Sequence, residues 1–67
     1  MNRRMESVKL MAVLQPFTQL GCLTASDVRD IVEDFKNGDT NKLRKFLNDP
    51  AMPQNLTPVI DRAKQYC

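Results

Sequence analysis

The stretch Thr24–Gly38, TASDVRDIVEDFKNG, contains both ends and one apolar face of a predicted helix. Thr24 is a favoured N-cap residue, and Asp27 three residues later completes an acidic variant of the capping box. Asn37-Gly38 ends the segment, because glycine readily adopts the left-handed conformation that follows many helices. The apolar side chains lie at the i, i+3, i+4, i+7 spacing of one helix face: Val28, Ile31, Val32 and Phe35.

The next segment begins directly after this helix. Asp39 or Thr40 is the expected cap, and Pro50 closes the segment, because proline cannot continue a hydrogen-bonded helix. With so few residues between them, the two helices are predicted to form an αα-hairpin. The apolar residues of this third segment are Leu43, Phe46 and Leu47.

An earlier helical segment is predicted from Arg3 to about Gln15. Pro16 interrupts it, because proline lacks the amide hydrogen and clashes with the preceding turn. A short helical continuation follows over Pro16–Leu20, since proline suits a first turn, and Gly21 is the natural stop.

Residues 50–56 contain Pro50 and Pro53 and are predicted to be an extended connection. Thr57-Pro58 then has the pattern of an N-cap followed by proline at the first helical position. The last helix is short and needs packing to persist. Its predicted buried side consists of Val59, Ile60, Ala63 and Tyr66.

These segments predict an all-α fold, a compact bundle of three to four short helices with a central αα-hairpin, in a single helical domain over residues 1–67. A chain of this size hides only about 60% of the surface that it exposes when unfolded. The predicted core residues are Val8, Met11, Leu14, Phe17, Leu20, Val28, Ile31, Val32, Phe35, Leu43, Phe46, Leu47, Ile60 and Tyr66.

The composition is typical of a folded protein, with 42% apolar and 27% charged residues. A net charge of +2 is too small to require a nucleic acid or an anionic membrane as partner. The sequence has neither the apolar run of a signal peptide nor that of a membrane span, so we expect a cytoplasmic location. In that reducing compartment Cys22 and Cys67 are expected to be free thiols.

The sequence does not predict an enzyme. Histidine is absent, which removes the commonest general base and every Ser–His or Cys–His arrangement. The acidic pairs of Asp30 with Glu33 or Asp34 lie opposite the apolar stripe of their helix and are expected to face water. Two isolated cysteines do not complete a zinc site, and no glycine-rich phosphate loop occurs. We therefore expect no catalytic residues, metal, cofactor or small-molecule substrate.

The first segment carries more apolar surface than one helix face holds. Leu10, Val13, Leu14 and Phe17 cover one broad side, whereas Met5, Val8, Met11 and Ala12 cover much of the other. Because contiguous exposed apolar patches usually mark interaction sites, the sequence predicts a regulatory or adaptor protein that binds another protein or a second copy of itself. The predicted partner-binding residues are Met5, Val8, Leu10, Met11, Val13, Leu14 and Phe17.

Two alternatives use basic residues. The central hairpin also fits a small helix-turn-helix-like regulator that contacts nucleic acid through Lys42, Arg44 and Lys45. A membrane-surface role is the weaker alternative. Arg3, Arg4 and Lys9 accompany an apolar helix, as in interfacial anchors, but this helix lacks the distinct polar face of such anchors.

Overall fold

A computed structural model describes residues 2–67 and confirms the predicted all-α bundle. The longest helix, α1, packs mainly against α2 and also against α4. Four α-helices and one 3₁₀ turn make up the regular structure of the described residues: α1 (Arg3–Gln19), α2 (Ala25–Lys36), α3 (Asn41–Leu47), the 3₁₀ turn (Gln54–Leu56) and α4 (Thr57–Lys64). No helix within residues 2–67 is both long enough and apolar enough to cross a membrane.

Helix α1 continues through Pro16, so the predicted interruption at Gln15 is wrong. Pro16 supplies no amide hydrogen to the Ala12 carbonyl one turn earlier. Ala12 is exposed and Pro16 is half-buried, so this interruption lies on the outward side of α1. Phe17 directly follows and is fully buried, so packing holds the last turn in helical form.

Helix α2 has the predicted ends. The Asp27 amide donates to Thr24 Oγ1 and the Thr24 amide donates to Asp27 Oδ2, both at 3.0 Å, which confirms the capping box. Gly38 follows the helix with a φ of +84°, a left-handed conformation that glycine adopts without strain. The Arg3 guanidinium approaches this turn from α1, where its Nη1 donates to the Phe35 carbonyl oxygen at 3.3 Å.

The turn into α3 and the entry to α4 differ in detail from the predictions. Thr40 is the N-cap of α3 but makes no side-chain cap bond; Asp39 Oδ1 instead accepts from the Asn41 amide at 2.9 Å. The connection before α4 is not wholly extended, since its last residues form the 3₁₀ turn. Thr57 is the first residue of α4 rather than its cap, and its hydroxyl donates to the Gln54 carbonyl oxygen at 2.6 Å.

One apolar cluster joins all four helices. The Phe17 and Phe46 rings meet edge to face with their centroids 5.0 Å apart, which ties α1 to α3. Phe35 and Tyr66 meet in the same manner at 5.9 Å, linking α2 to the residues after α4. The buried members of the cluster are Leu10, Leu14, Phe17, Leu23, Val28, Ile31, Val32, Phe35, Leu43, Leu47 and Ala63.

Three predicted core residues are exposed instead. Val8 and Met11 lie on the outward side of α1, because Leu10, Leu14 and Phe17 occupy the side that faces the bundle. Leu20 is the C-cap residue of α1 and is 55% exposed. The chain turns at Gly21, and Leu23 enters the core in its place.

Candidate protein-interaction surface

The outward side of α1 presents large apolar side chains to solvent. Met5 is 60% exposed, Val8 63% and Met11 41%, and we call these three residues the outer stripe. They are three residues apart, so they run obliquely across the helix surface, with the exposed Ala12 beside them. The outer stripe is a contiguous apolar surface that the core of the chain leaves uncovered.

The structure divides the predicted partner-binding residues between two sides of α1. Leu10, Leu14 and Phe17 are fully enclosed by the chain's own core, and Val13 is half-buried against it. Leu10, Leu14 and Phe17 therefore cannot belong to a partner surface in this fold, because another molecule has no access to these enclosed side chains. For the half-buried Val13 the assignment stays a prediction. Met5, Val8 and Met11, which make up the outer stripe, remain accessible.

A groove between α1 and α2 extends the outer stripe sideways. Its volume is about 420 Å³, and Met11 lines it as well as belonging to the stripe. Val28 and Val32 of α2 contribute apolar atoms, and Gln15 lies at the α1 edge. No sequence pattern predicted this groove, because it exists only where the side chains of two packed helices meet.

Cationic side chains lie beside the outer stripe. Arg4 and Lys9 line a shallow hollow of about 460 Å³ together with Met5 and Val8. Lys9 already lies 3.6 Å from a Glu6 carboxylate oxygen, so part of this positive charge is balanced within α1. The surroundings of the stripe are mildly basic rather than strongly charged.

The basic residues of α3 do not form one surface. Lys42 and Lys45 line a hollow that also contains Asp27 and Asp30, and Lys42 Nζ is 3.5 Å from Asp34 Oδ2.

Arg44 lies instead in a separate hollow with Arg3 and Glu6. A phosphate backbone is bound by cations that act on it together, and here carboxylates lie among them. The nucleic-acid alternative stays a prediction, and the fold divides its three basic residues between two hollows.

The Asp27 carboxyl, at the surface of the protein, has a shifted pKa. The pKa of its carboxyl is lowered below its usual value of 3.8, chiefly by the hydrogen bond from the Thr24 backbone amide. The Thr24 hydroxyl and the charge of Lys42 lower the pKa further. This carboxyl serves the start of α2, since its charged form is the one that accepts the cap hydrogen bond.

Other reactive groups are few in the described part of the chain. Cys22 and Cys67 are both exposed free thiols. Within residues 2–67, no three Cys, Asp or Glu side chains come together in a group that would hold a metal ion. The chain matches no protein-family model, no curated protein and no solved structure.

Proposed function

We propose that this protein is a non-enzymatic regulatory or adaptor module that binds another polypeptide chain through the outer stripe of α1. One observation carries the proposal: Met5, Val8 and Met11 stay exposed although the core is filled without them. Burial of apolar surface favours association by about 25 cal/mol per Å² before the costs of ordering are subtracted.

The groove next to Met11 gives the bound chain a second place of contact. A partner helix that covers Met5 and Val8 also reaches the groove at Met11, because Met11 lines the groove and lies one turn of α1 beyond Val8. We further propose a cytoplasmic location, which the two exposed, unpaired thiols support.

Val8→Glu is the first variant for testing this proposal, because it places a charge at the centre of the outer stripe without entering the core. Leu20→Glu is the matched control, since Leu20 is also an exposed apolar residue of this region but lies outside the stripe. Wild type and both variants are used as bait in a cell lysate. Any retained chain is then purified and titrated against each bait by calorimetry.

We expect wild type and Leu20→Glu to bind the same purified chain, and Val8→Glu to weaken that binding at least tenfold. All three proteins should give the same helical circular dichroism spectrum. If Val8→Glu binds the purified chain as tightly as wild type does, the outer stripe is not the interaction surface and the proposal is wrong.

A further inference from the structure

We infer that the hollow lined by Arg3 and Arg44 binds a single phosphate group, carried by inorganic phosphate or by a small phosphate monoester. This arginine hollow lies between the start of α1, the turn into α3 and the residues after α4. Its volume is about 310 Å³, near the lower end of the range of about 300–1,000 Å³ for small-ligand sites. No residue of the outer stripe lines it, so the inference is independent of the proposed function.

The Arg3 guanidinium is positioned at this hollow by the end of α2. Its Nη1 donates to the Phe35 carbonyl oxygen at 3.3 Å. Gly38 leaves room for it, because a Cβ at that position would lie only 3.3 Å from the same nitrogen. A guanidinium has five N–H donors, and this bond uses one of them. Arg3 therefore reaches the arginine hollow in a defined position with donors left for a ligand.

Arg44 enters the same hollow from α3 without a protein partner in the described chain. The ion pairs among residues 2–67 use other cations, namely Lys9, Arg29, Lys36 and Lys42. Side-chain hydrogen bonds from cations over the same residues come from Arg3, Arg29 and Lys36. All the donors of the Arg44 guanidinium are therefore free to bind a ligand.

The arginine hollow carries net positive charge. Its two arginines are accompanied by one carboxylate side chain, that of Glu6. Lys9 Nζ lies 3.6 Å from a Glu6 carboxylate oxygen, so this negative charge is already partly balanced. The hollow beside Lys42 differs, because there the ammonium itself lies 3.5 Å from Asp34 Oδ2. An anion in the arginine hollow would meet two guanidinium groups that no carboxylate neutralises.

The donors of this hollow match phosphate better than a carboxylate. Guanidinium groups bind both kinds of oxyanion through paired hydrogen bonds, but a phosphate group carries about two negative charges and so matches two arginines. Thr40, Gln65 and Tyr66 also line the hollow and carry neutral donor groups. The Thr40 hydroxyl makes no cap bond to α3, which leaves it available. Phosphate has enough oxygens to accept from these groups as well as from both arginines.

A titration with sodium phosphate at pH 7.5 and constant ionic strength, followed by amide chemical shifts, tests the site. Arg62→Met is the matched control for Arg44→Met, because both arginines are exposed and Arg62 does not line the hollow. We expect saturable shifts at Gly38, Thr40 and Gln65, with a dissociation constant of roughly 1 mM. Arg44→Met should weaken binding at least tenfold, and Arg62→Met should leave it unchanged.

Two further titrations identify the ligand class. Sodium acetate should bind at least tenfold more weakly than phosphate, because it offers one charge and two oxygens. Phenyl phosphate distinguishes the two sources of the phosphate group. Binding at least as tight as that of inorganic phosphate supports a site for monoesters, whereas weaker binding supports a site for the free ion.

Three outcomes would overturn the inference. Shifts that rise without saturation indicate a general salt effect, equal phosphate affinity of Arg44→Met and Arg62→Met places binding elsewhere, and acetate that binds as tightly as phosphate refutes the ligand class. Arg44→Gln replaces Arg44→Met if the latter lacks the wild-type circular dichroism spectrum. Val8→Glu should bind phosphate as wild type does, so failure of this inference leaves the proposed function standing.

Discussion

At the residue scale, Thr24 and Asp27 fix the start of α2 by bonding each other's backbone amides at 3.0 Å. A helix N-terminus has four backbone amides without a helical acceptor. These two side chains accept from two such donors, which would be left to water without them. Both side chains are close in sequence and need no tertiary contact to meet. This is why the capping box was predictable from residues 24–27 alone.

Thr24→Ala removes the acceptor and should lower the free energy of unfolding by about 1 kcal/mol near pH 7. Urea denaturation followed by circular dichroism measures this change. Ser26→Ala is the matched control, because Ser26 lies in the same first turn, caps no amide and accepts only from the exposed Arg29 guanidinium. It should change stability by less than about 0.5 kcal/mol. Equal effects of the two substitutions would contradict the capping role.

The same pair predicts a pH dependence. The folded pKa of Asp27 is lowered from 3.8, so the unfolded chain binds this proton more readily than the folded chain does. The stabilisation is therefore present above about pH 3.8 and is lost as the pH falls through the lower folded value. Asp27→Asn should flatten stability over that acidic interval; an unchanged acid profile would argue against it.

Gly38 and Gly21 have similar positive φ angles, +84° and +76°, but different surroundings. A Cβ on Gly38 would lie 3.3 Å from Arg3 Nη1, whereas a Cβ on Gly21 has no neighbour within 4 Å. The guanidinium that would have to shift is the one that donates to the Phe35 carbonyl.

Gly21→Ala should therefore cost about 1–2 kcal/mol from backbone strain alone. Gly38→Ala should cost more, because it also disturbs the Arg3 hydrogen bond. Urea unfolding of both variants in the wild-type and Arg3→Met backgrounds isolates the difference. The excess cost at Gly38 should disappear with Arg3→Met; an excess that persists would show that Arg3 is not its cause.

At the element scale, α1 is a helix with two apolar sides. The spacing of Leu10, Leu14 and Phe17 resembles that of Met5, Val8 and Ala12, since both sets are helical repeats. Periodicity therefore predicted that one side meets the bundle and the other is in excess, but not which. The larger Leu and Phe side chains fill the space between α2 and α4, and only the packed bundle shows this choice.

Pro16 costs α1 a hydrogen bond within an otherwise continuous helix. Pro16→Ala restores the amide donor to the Ala12 carbonyl and should stabilise the monomer by roughly 1–3 kcal/mol, measured as a raised melting temperature. Pro58→Ala is the matched control, because proline near the start of α4 displaces no helical bond and its replacement should be nearly neutral.

At the scale of the whole molecule, the fold was predictable because the residues that begin and end its helices act locally. The caps and the left-handed glycines lie within a few residues of the helix ends that they define. The separation of the basic residues of α3, by contrast, was not predictable from the sequence. Lys42, Lys45 and Arg44 are adjacent in sequence, yet the packing of α3 turns them into different hollows, and no pattern within seven residues encodes that separation.

The contact of α1 with both α2 and α4 has a consequence during synthesis. A nascent chain that has emerged only as far as α2 leaves the α4-facing side of α1 bare, because α4 with its buried Ala63 has not yet been added. Closure of the bundle must then await its C-terminal residues. Until then α1 exposes apolar side chains that the complete bundle buries.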